Sequence, residues 1–216
     1  RWRLGSLRRR ASELEEVIEQ RTSALREQTD RLLESDREKS ILVARLKAQS
    51  EDFERLSLED ALTGIGNRRN LDDRLAKAFE RALETRLPLS FALFDIDEFK
   101  RINDQYSHAA GDHALVAVAQ ALQQGVDGRG SIARWGGEEF AALFEGMPLE
   151  DARQLCEQLR ERVQRIDCSE FAPGWTMTIS AGVTERTGLS HHEKLVSRAD
   201  ALLYEAKRAG RNRICG

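Results

Sequence analysis

Between Leu89 and Asp104 the chain reads Leu-Ser-Phe-Ala-Leu-Phe-Asp-Ile-Asp-Glu-Phe-Lys-Arg-Ile-Asn-Asp, and from Arg134 to Phe140 it reads Arg-Trp-Gly-Gly-Glu-Glu-Phe. The first segment is a buried-strand pattern ending in carboxylates, then a helix start. The second is a hairpin signal: two glycines, able to take positive φ, lie between strand-like runs. Its tip carries Glu138 and Glu139. Such a pair is costly to hold together unless something positive sits beside it. Hard divalent cations prefer oxygen, and Mg²⁺ on a nucleotide takes one or two protein carboxylates plus phosphate oxygens. Asp95 at a strand end and Glu138 on a neighbouring tip can meet around such an ion. The amides after Ile96 then open a helix and offer a seat for phosphate, with Lys100 adding a point charge. The competing reading is plainer: Asp97 or Glu98 caps that helix, and the other charges are solvated.

The rest of the chain bounds these options. Its 216 residues suit one domain plus an extension, and a net charge of −3 gives no basic field for nucleic acid. Arg1, Arg3, Arg8, Arg9 and Arg10 cluster at a start with no acid among them. Beside Trp2 and Leu4, this cluster reads equally as a solvated helix start or as the cytoplasmic flank of a missing membrane helix. No apolar run is long enough to span a bilayer, no signal peptide is visible, and the first residue is Arg, as in a piece of something longer. Cys156, Cys168 and Cys215 are odd in number and lack metal-ligand spacing, which favours reduced thiols in a cytoplasm.

The positioning elements fall into two parts. Residues 1–56 contain no Pro, and written as heptads their a positions are Leu4, Ala11, Ile18, Leu25, Leu32, Lys39, Leu46 and Phe53. The d positions are Leu7, Leu14, Arg21, Gln28, Ser35, Leu42, Gln49 and Leu56. An unbroken register of this length indicates a coiled-coil helix that associates weakly in its polar middle. Ile41 and Val43 offer an alternative register, so the seam reads either as a static dimerising stalk or as a two-register transmitter. Residues 57–216 alternate between the two periods. Helices are expected over 69–84, 99–106, 112–124, 149–166 and 194–208, and strands over 89–95, 131–134, 140–144, 175–184 and 213–215. This order suits an α+β fold with one central sheet.

Four separated motifs, in order, carry a resemblance to the GGDEF-domain diguanylate cyclases across residues 57–216. They are Asp60-Ala-Leu-Thr-Gly-Ile-Gly-Asn-Arg-Arg69, the run from Asp95 to Asp112, Gly136-Gly-Glu-Glu-Phe140, and Ala206-Lys-Arg-Ala-Gly-Arg-Asn212. The resemblance implies a five-stranded, antiparallel-rich sheet wrapped by helices, similar to the polymerase palm and the nucleotidyl cyclases. It implies condensation of two GTP into cyclic di-GMP and two pyrophosphates, across a homodimer whose sites face each other. It further implies that Asp95, Glu138 and the Ile96 carbonyl bind two Mg²⁺ ions, with Mn²⁺ as a substitute. Glu138, with Glu139 as runner-up, accepts the ribose 3′-hydroxyl proton, and Lys100 stabilises charge at the reacting phosphorus. Asn103 and Asp112 read guanine, while Lys207 and Arg211 contact the triphosphate. His108 lies inside the motif, where packing explains it equally well. Asp60, Asn67, Arg68 and Arg69 are read as structural, at the junction of coil and domain.

Three departures from the family's pattern stand out. Ile65-Gly66 replaces a pair such as Leu-Pro, for which a looser turn is expected. Ser107 replaces a Gly before His108, for which an altered backbone is expected. The family's Arg-x-x-Asp product-inhibition site is missing: six residues before Gly136 stands Gly130, and the Arg position holds Asp127. The implied partners are GTP, a second copy through a parallel coiled coil, and an upstream sensor domain, with no nucleic acid. The implied location is the cytoplasm, alone or as the inner part of an inner-membrane protein. The rival readings are a catalytically inactive GTP or cyclic di-GMP receptor, a cyclase joining other nucleotides, and a passive coiled-coil scaffold.

Overall fold

The computed structural model describes residues 18–47, apart from 24, 27 and 30, and residues 58–216. The chain divides into two compact units, Arg1–Glu54 and Arg55–Gly216.

In the first unit the described residues between 18 and 47 are helical (α1). The heptad residues Ile18, Leu25, Leu32, Leu42 and Leu46 are all well over half exposed, as are Leu33, Ile41 and Val43. Thr22 and Thr29 turn their hydroxyls back onto the carbonyls of Ile18 and Leu25, four residues earlier. The heptad positions before Ile18 and from Gln49 onward lie outside the described residues.

The second unit is a six-stranded sheet covered on both faces. Its elements are β1 (Gly66–Asn67), α2 (Arg68–Thr85), β2 (Leu89–Ile96), α3 (Phe99–Gln105), α4 (His108–Val126), β3 (Ser131–Arg134), β4 (Glu139–Glu145), α5 (Leu149–Gln164), β5 (Ile179–Glu185), α6 (His192–Arg208) and β6 (Ile214–Cys215). The strand order is β1-β3-β4-β2-β5-β6. The four central strands pair antiparallel, while β1 on β3 and β6 on β5 pair parallel. The α+β expectation holds, with one strand more than five. The extra strand, β1, is two residues inside a Gly-rich segment that reads as a turn, so it has no periodicity to detect. The expected strand over 175–184 begins later, at Ile179.

β2 is buried at all eight positions, which accounts for its continuous apolar run. Its alternate residues serve two cores. Ala92, Phe94 and Ile96 join the side packed under α4 and α5, and Phe91 and Leu93 join the side under α2 and α6. α6 sits very close to the sheet, because a Cβ on Gly182 of β5 would lie 2.0 Å from the Ala199 carbonyl oxygen and 2.4 Å from the Leu203 nitrogen. Only glycine admits that approach.

The turn before α2 is not loose. The Asp60 carbonyl accepts from the Gly64 amide at 2.9 Å, and the Asp60 amide donates to the Ile65 carbonyl at 2.8 Å. Ile65 is buried in the core, and Asn67 caps α2 by accepting from the Asn70 amide. Nor does Ser107 distort the chain. It lies at φ 169°, ψ 168°, extended backbone open to any residue, and its Oγ caps α4 by accepting from the Ala110 amide at 3.1 Å. A serine here is a helix cap rather than a strained substitute.

Candidate functional site

The end of β2 and the β3–β4 hairpin are registered against each other by the ladder. Asp95 stands opposite Glu139, and the Ile96 amide donates to the Glu138 carbonyl at 3.2 Å. The hairpin thereby brings both glutamates to Asp95. The turn is not the positive-φ kind that Gly-Gly suggests, since neither Gly136 nor Gly137 has positive φ. A Cβ on Gly136 would lie 2.7 Å from a Glu139 carboxylate oxygen, the movable end of that side chain, and one on Gly137 would meet nothing within 4 Å. The tip is closed by the Trp135 and Gly136 amides, which donate to the Glu139 carbonyl, and by Arg134, whose Nε and Nη2 donate to the Gly137 carbonyl at 3.1 and 2.8 Å.

Arg134 also reaches Asp60, with Nη1 at 3.2 and 3.3 Å from its two oxygens. Burial opposes ionisation of Asp60, yet hydrogen bonds from Thr63 and the Arg134 guanidinium outweigh it and hold its carboxyl below the ordinary aspartate range. One guanidinium therefore ties the turn at 60–65 to the acidic tip. Sequence reasoning gave Arg134 no role. Its signal was only its place directly before the signature.

Asp95 is 6% exposed. Burial pushes its carboxyl up to about 6, with Glu138 and Glu139 adding to the rise, while Lys207 opposes it. The Lys207 ammonium on α6 lies 2.7 Å from Asp95 Oδ2. So the lysine expected on the triphosphate rests here on an aspartate expected to hold metal. Carboxylates crowded at a buried strand end are hard oxygen donors short of positive charge, a set that fits Mg²⁺ or Mn²⁺. Among the described residues no three metal-ligating side chains gather closely enough to hold an ion by themselves.

Asn103 and Asp112 come from different helices. Half-buried Asn103 on α3 packs against α4 at Gly111, where a Cβ would fall 2.0 Å from its Oδ1. Gly111 thus lets the asparagine approach the exposed Asp112 beside it. Lys100 is exposed on the first turn of α3, His108 is exposed as the first residue of α4, and Arg211 is exposed in the loop after α6. Asp97 and Glu98 do not cap α3 with their side chains. Glu98 takes φ 56° and pairs with Arg101, while Asp97 turns inward, 5% exposed.

Residues 57–213 match the family described as diguanylate cyclase, GGDEF domain. The chain is 41% identical over 164 residues to the diguanylate cyclase DgcP of Pseudomonas aeruginosa, covering 76% of this chain and 24% of that protein. It is 35% identical over 175 residues to the diguanylate cyclase VdcA of Vibrio cholerae, covering 80% of this chain and 50% of that one. It therefore spans half or less of the length of these relatives. Its fold is similar to the coiled coil and GGDEF domain of DgcB from Caulobacter crescentus, solved in complex with c-di-GMP. That likeness has a TM-score of 0.77 and 31% identity, over 82% of this chain and 95% of that one. With the acidic hairpin, the strand-end aspartate and the matched length all in agreement, the chain belongs to the GGDEF-domain diguanylate cyclase family.

Proposed function

We propose that residues 57–216 convert two GTP into cyclic di-GMP and two pyrophosphates, each of two facing subunits holding one GTP. One observation carries the reading: the sheet register sets Asp95 directly beside Glu138 and Glu139 at a buried strand end. Asp95, Glu138 and the Ile96 carbonyl would hold two Mg²⁺ ions, which when bound supply charge for the triphosphate and the reacting oxygens. Glu138 takes the proton from the ribose 3′-hydroxyl, with Glu139 as the alternative acceptor in a coupled pair. Lys100 faces the reacting phosphorus. Lys207, released from Asp95, and Arg211 neutralise the phosphate chain. His108 lines the nucleotide's side of α4.

Guanine is selected by Asn103 and Asp112. The Asn103 amide donates to O6, and the Asp112 carboxylate accepts from N1–H and the 2-amino group. Adenine leaves these groups unpaired, a heavy penalty in a closed site. The exposed leucine stripe of α1 supports a parallel coiled-coil homodimer, which raises the effective concentration of one site near its twin. We further infer that an upstream sensor acts through this helix, and that the chain works in the cytoplasm, alone or as the inner part of an inner-membrane protein.

Feedback inhibition through the Arg-x-x-Asp site is absent on this reading. The geometry supports more than a missing motif: a Cβ on Gly130 would lie 2.6 Å from the Phe144 ring and 2.7 Å from the Leu143 carbonyl oxygen. No aspartate fits there without moving β4. Tight dinucleotide binding at 127–130 in calorimetric titration would contradict this.

The test of the main reading is synthesis of cyclic di-GMP from GTP and Mg²⁺ by the purified 216-residue chain. Product that depends on Glu138 and on dimer concentration is expected. Binding of GTP with no turnover would instead establish the inactive-receptor alternative.

A further inference from the structure

The buried Asp97 carboxylate is used, but not at the chemistry. Its Oδ1 accepts from Ser180 Oγ at 2.7 Å, and its Oδ2 accepts from Thr178 Oγ1 at 2.8 Å and from the Asn212 amide at 3.0 Å. Among the described residues no cation lies within ion-pair distance of it. Three donors converge on the carboxylate, two of them sharing Oδ2, so the Thr178 hydroxyl and the Asn212 amide are held at one point. The first two donors belong to β5 and its approach. The third crosses 115 residues of sequence to the loop after α6.

That loop has an uncommon backbone. Gly210, Arg211 and Asn212 all have positive φ, at 114°, 62° and 47°. The left-handed region crowds the Cβ of an arginine, and such geometry persists only where the surroundings impose it. Here they do so from both sides. The Arg211 amide donates to the Ala206 carbonyl at 3.1 Å, closing the end of α6. The Asn212 amide is taken by Asp97, and the Asn212 Oδ1 accepts from Arg160 Nη1 at 2.7 Å. The Arg160 side chain is only 12% exposed and is itself paired with Glu157. Arg211, thus turned, borders a cavity of about 230 Å³ together with Glu98, Trp175 and Thr176.

We propose that Asp97 is a positioning residue for Arg211. It touches no substrate. Its Oδ2 fixes the left-handed turn that aims the arginine at the phosphate chain, while Oδ1 anchors the carboxylate itself to Ser180 of β5. The proposal rests on the GTP reading given above, and its test separates the two.

The test uses the full chain with Asp97→Ala, Asp97→Asn, Ser180→Ala, Arg211→Ala and the Asp97→Ala/Arg211→Ala pair. Hydrogen exchange over residues 209–213, measured without nucleotide, is expected to speed at least tenfold in Asp97→Ala and less in Asp97→Asn, with α6 still protected. The KM for GTP is expected to rise about tenfold in Asp97→Ala and in Arg211→Ala with kcat little changed, the size of one lost charge-assisted contact. The double variant should be no worse than Arg211→Ala alone. Ser180→Ala should raise KM less than Asp97→Ala does, because Thr178 still holds the oxygen that binds the Asn212 amide. Unchanged exchange at 209–213 in both Asp97 variants overturns the proposal, as does multiplication of the two KM effects. Should Asp97→Ala not fold, Asp97→Asn decides by the same two readouts. Failure of the wild type to make product sinks the cyclase reading, whereas the exchange result judges the hold on Arg211 by itself.

Discussion

The acidic hairpin and the basic loop after α6 solve the same problem, holding charged side chains at fixed points, by opposite means. The hairpin uses no positive φ and closes through bonds within a few residues: Trp135 and Gly136 to Glu139, Arg134 to Gly137. The loop has positive φ at three consecutive residues and is held by Asp97 and Arg160, 115 and 52 residues away. The hairpin's shape is carried largely by its own sequence, with Arg134 also tied to Asp60, 74 residues away. The loop's shape is borrowed from the folded domain, so it forms only once the sheet exists.

The strongest way to break this contrast is at the tip. Glu138→Gln is expected to reduce cyclic di-GMP synthesis about 10³-fold, within the range for losing an acid–base group, and to leave the melting temperature nearly unchanged. Product chromatography beside a thermal melt checks both. Survival of activity would remove the tip from the chemistry.

Arg134→Ala attacks the hairpin's anchor. It frees the Gly137 carbonyl and leaves Asp60 with Thr63 alone, for an expected loss of about 2 kcal/mol by urea denaturation. Because Asp60 has a lowered pKa, the stability it contributes is present at neutral pH and lost as pH falls through its folded value. The gap between wild type and Arg134→Ala should therefore narrow in acid.

Asp95 behaves in the opposite sense. Its carboxyl is raised from 3.8 to about 6, so the native state binds its proton more tightly than the unfolded chain. The stability it contributes is full below pH 3.8 and lost as pH rises through about 6. Asp95→Asn in metal-free buffer should be more stable than wild type by about 1–2 kcal/mol at pH 7, the net of burial against the Lys207 contact. The difference should vanish near pH 4. The smallest effect is expected from Gly210→Ala, which forces a Cβ onto φ 114° and should cost about 1 kcal/mol while raising the KM for GTP.

The same contrast explains what could be read from residues alone. β2 is marked by its continuous apolar run, and β3, β4 and the helices by their flanking turns and periods, and all lie where expected within a few residues. The meeting of Asp95 with Glu138 follows from a strand and a hairpin that the sequence announces. β1 is illegible because two residues have no period, and the glycine pair suggests a positive-φ turn that neither glycine adopts. For Asp97 the sequence suggests no more than a helix cap, shared with Glu98, because its partners Thr178, Ser180 and Asn212 lie far along the chain. Lys207 read as a phosphate ligand, and only coordinates reveal its rest position on Asp95. Long-range polar partners leave no spacing signal.

The missing side chain at Gly182 has a further consequence. With the α6 backbone seated against β5, the helix bearing Lys207 has no room to slide or roll on the strand beneath it. Whether Lys207 rests on Asp95 or leaves it is then a matter of its own side chain, swinging from a helix that stays in place.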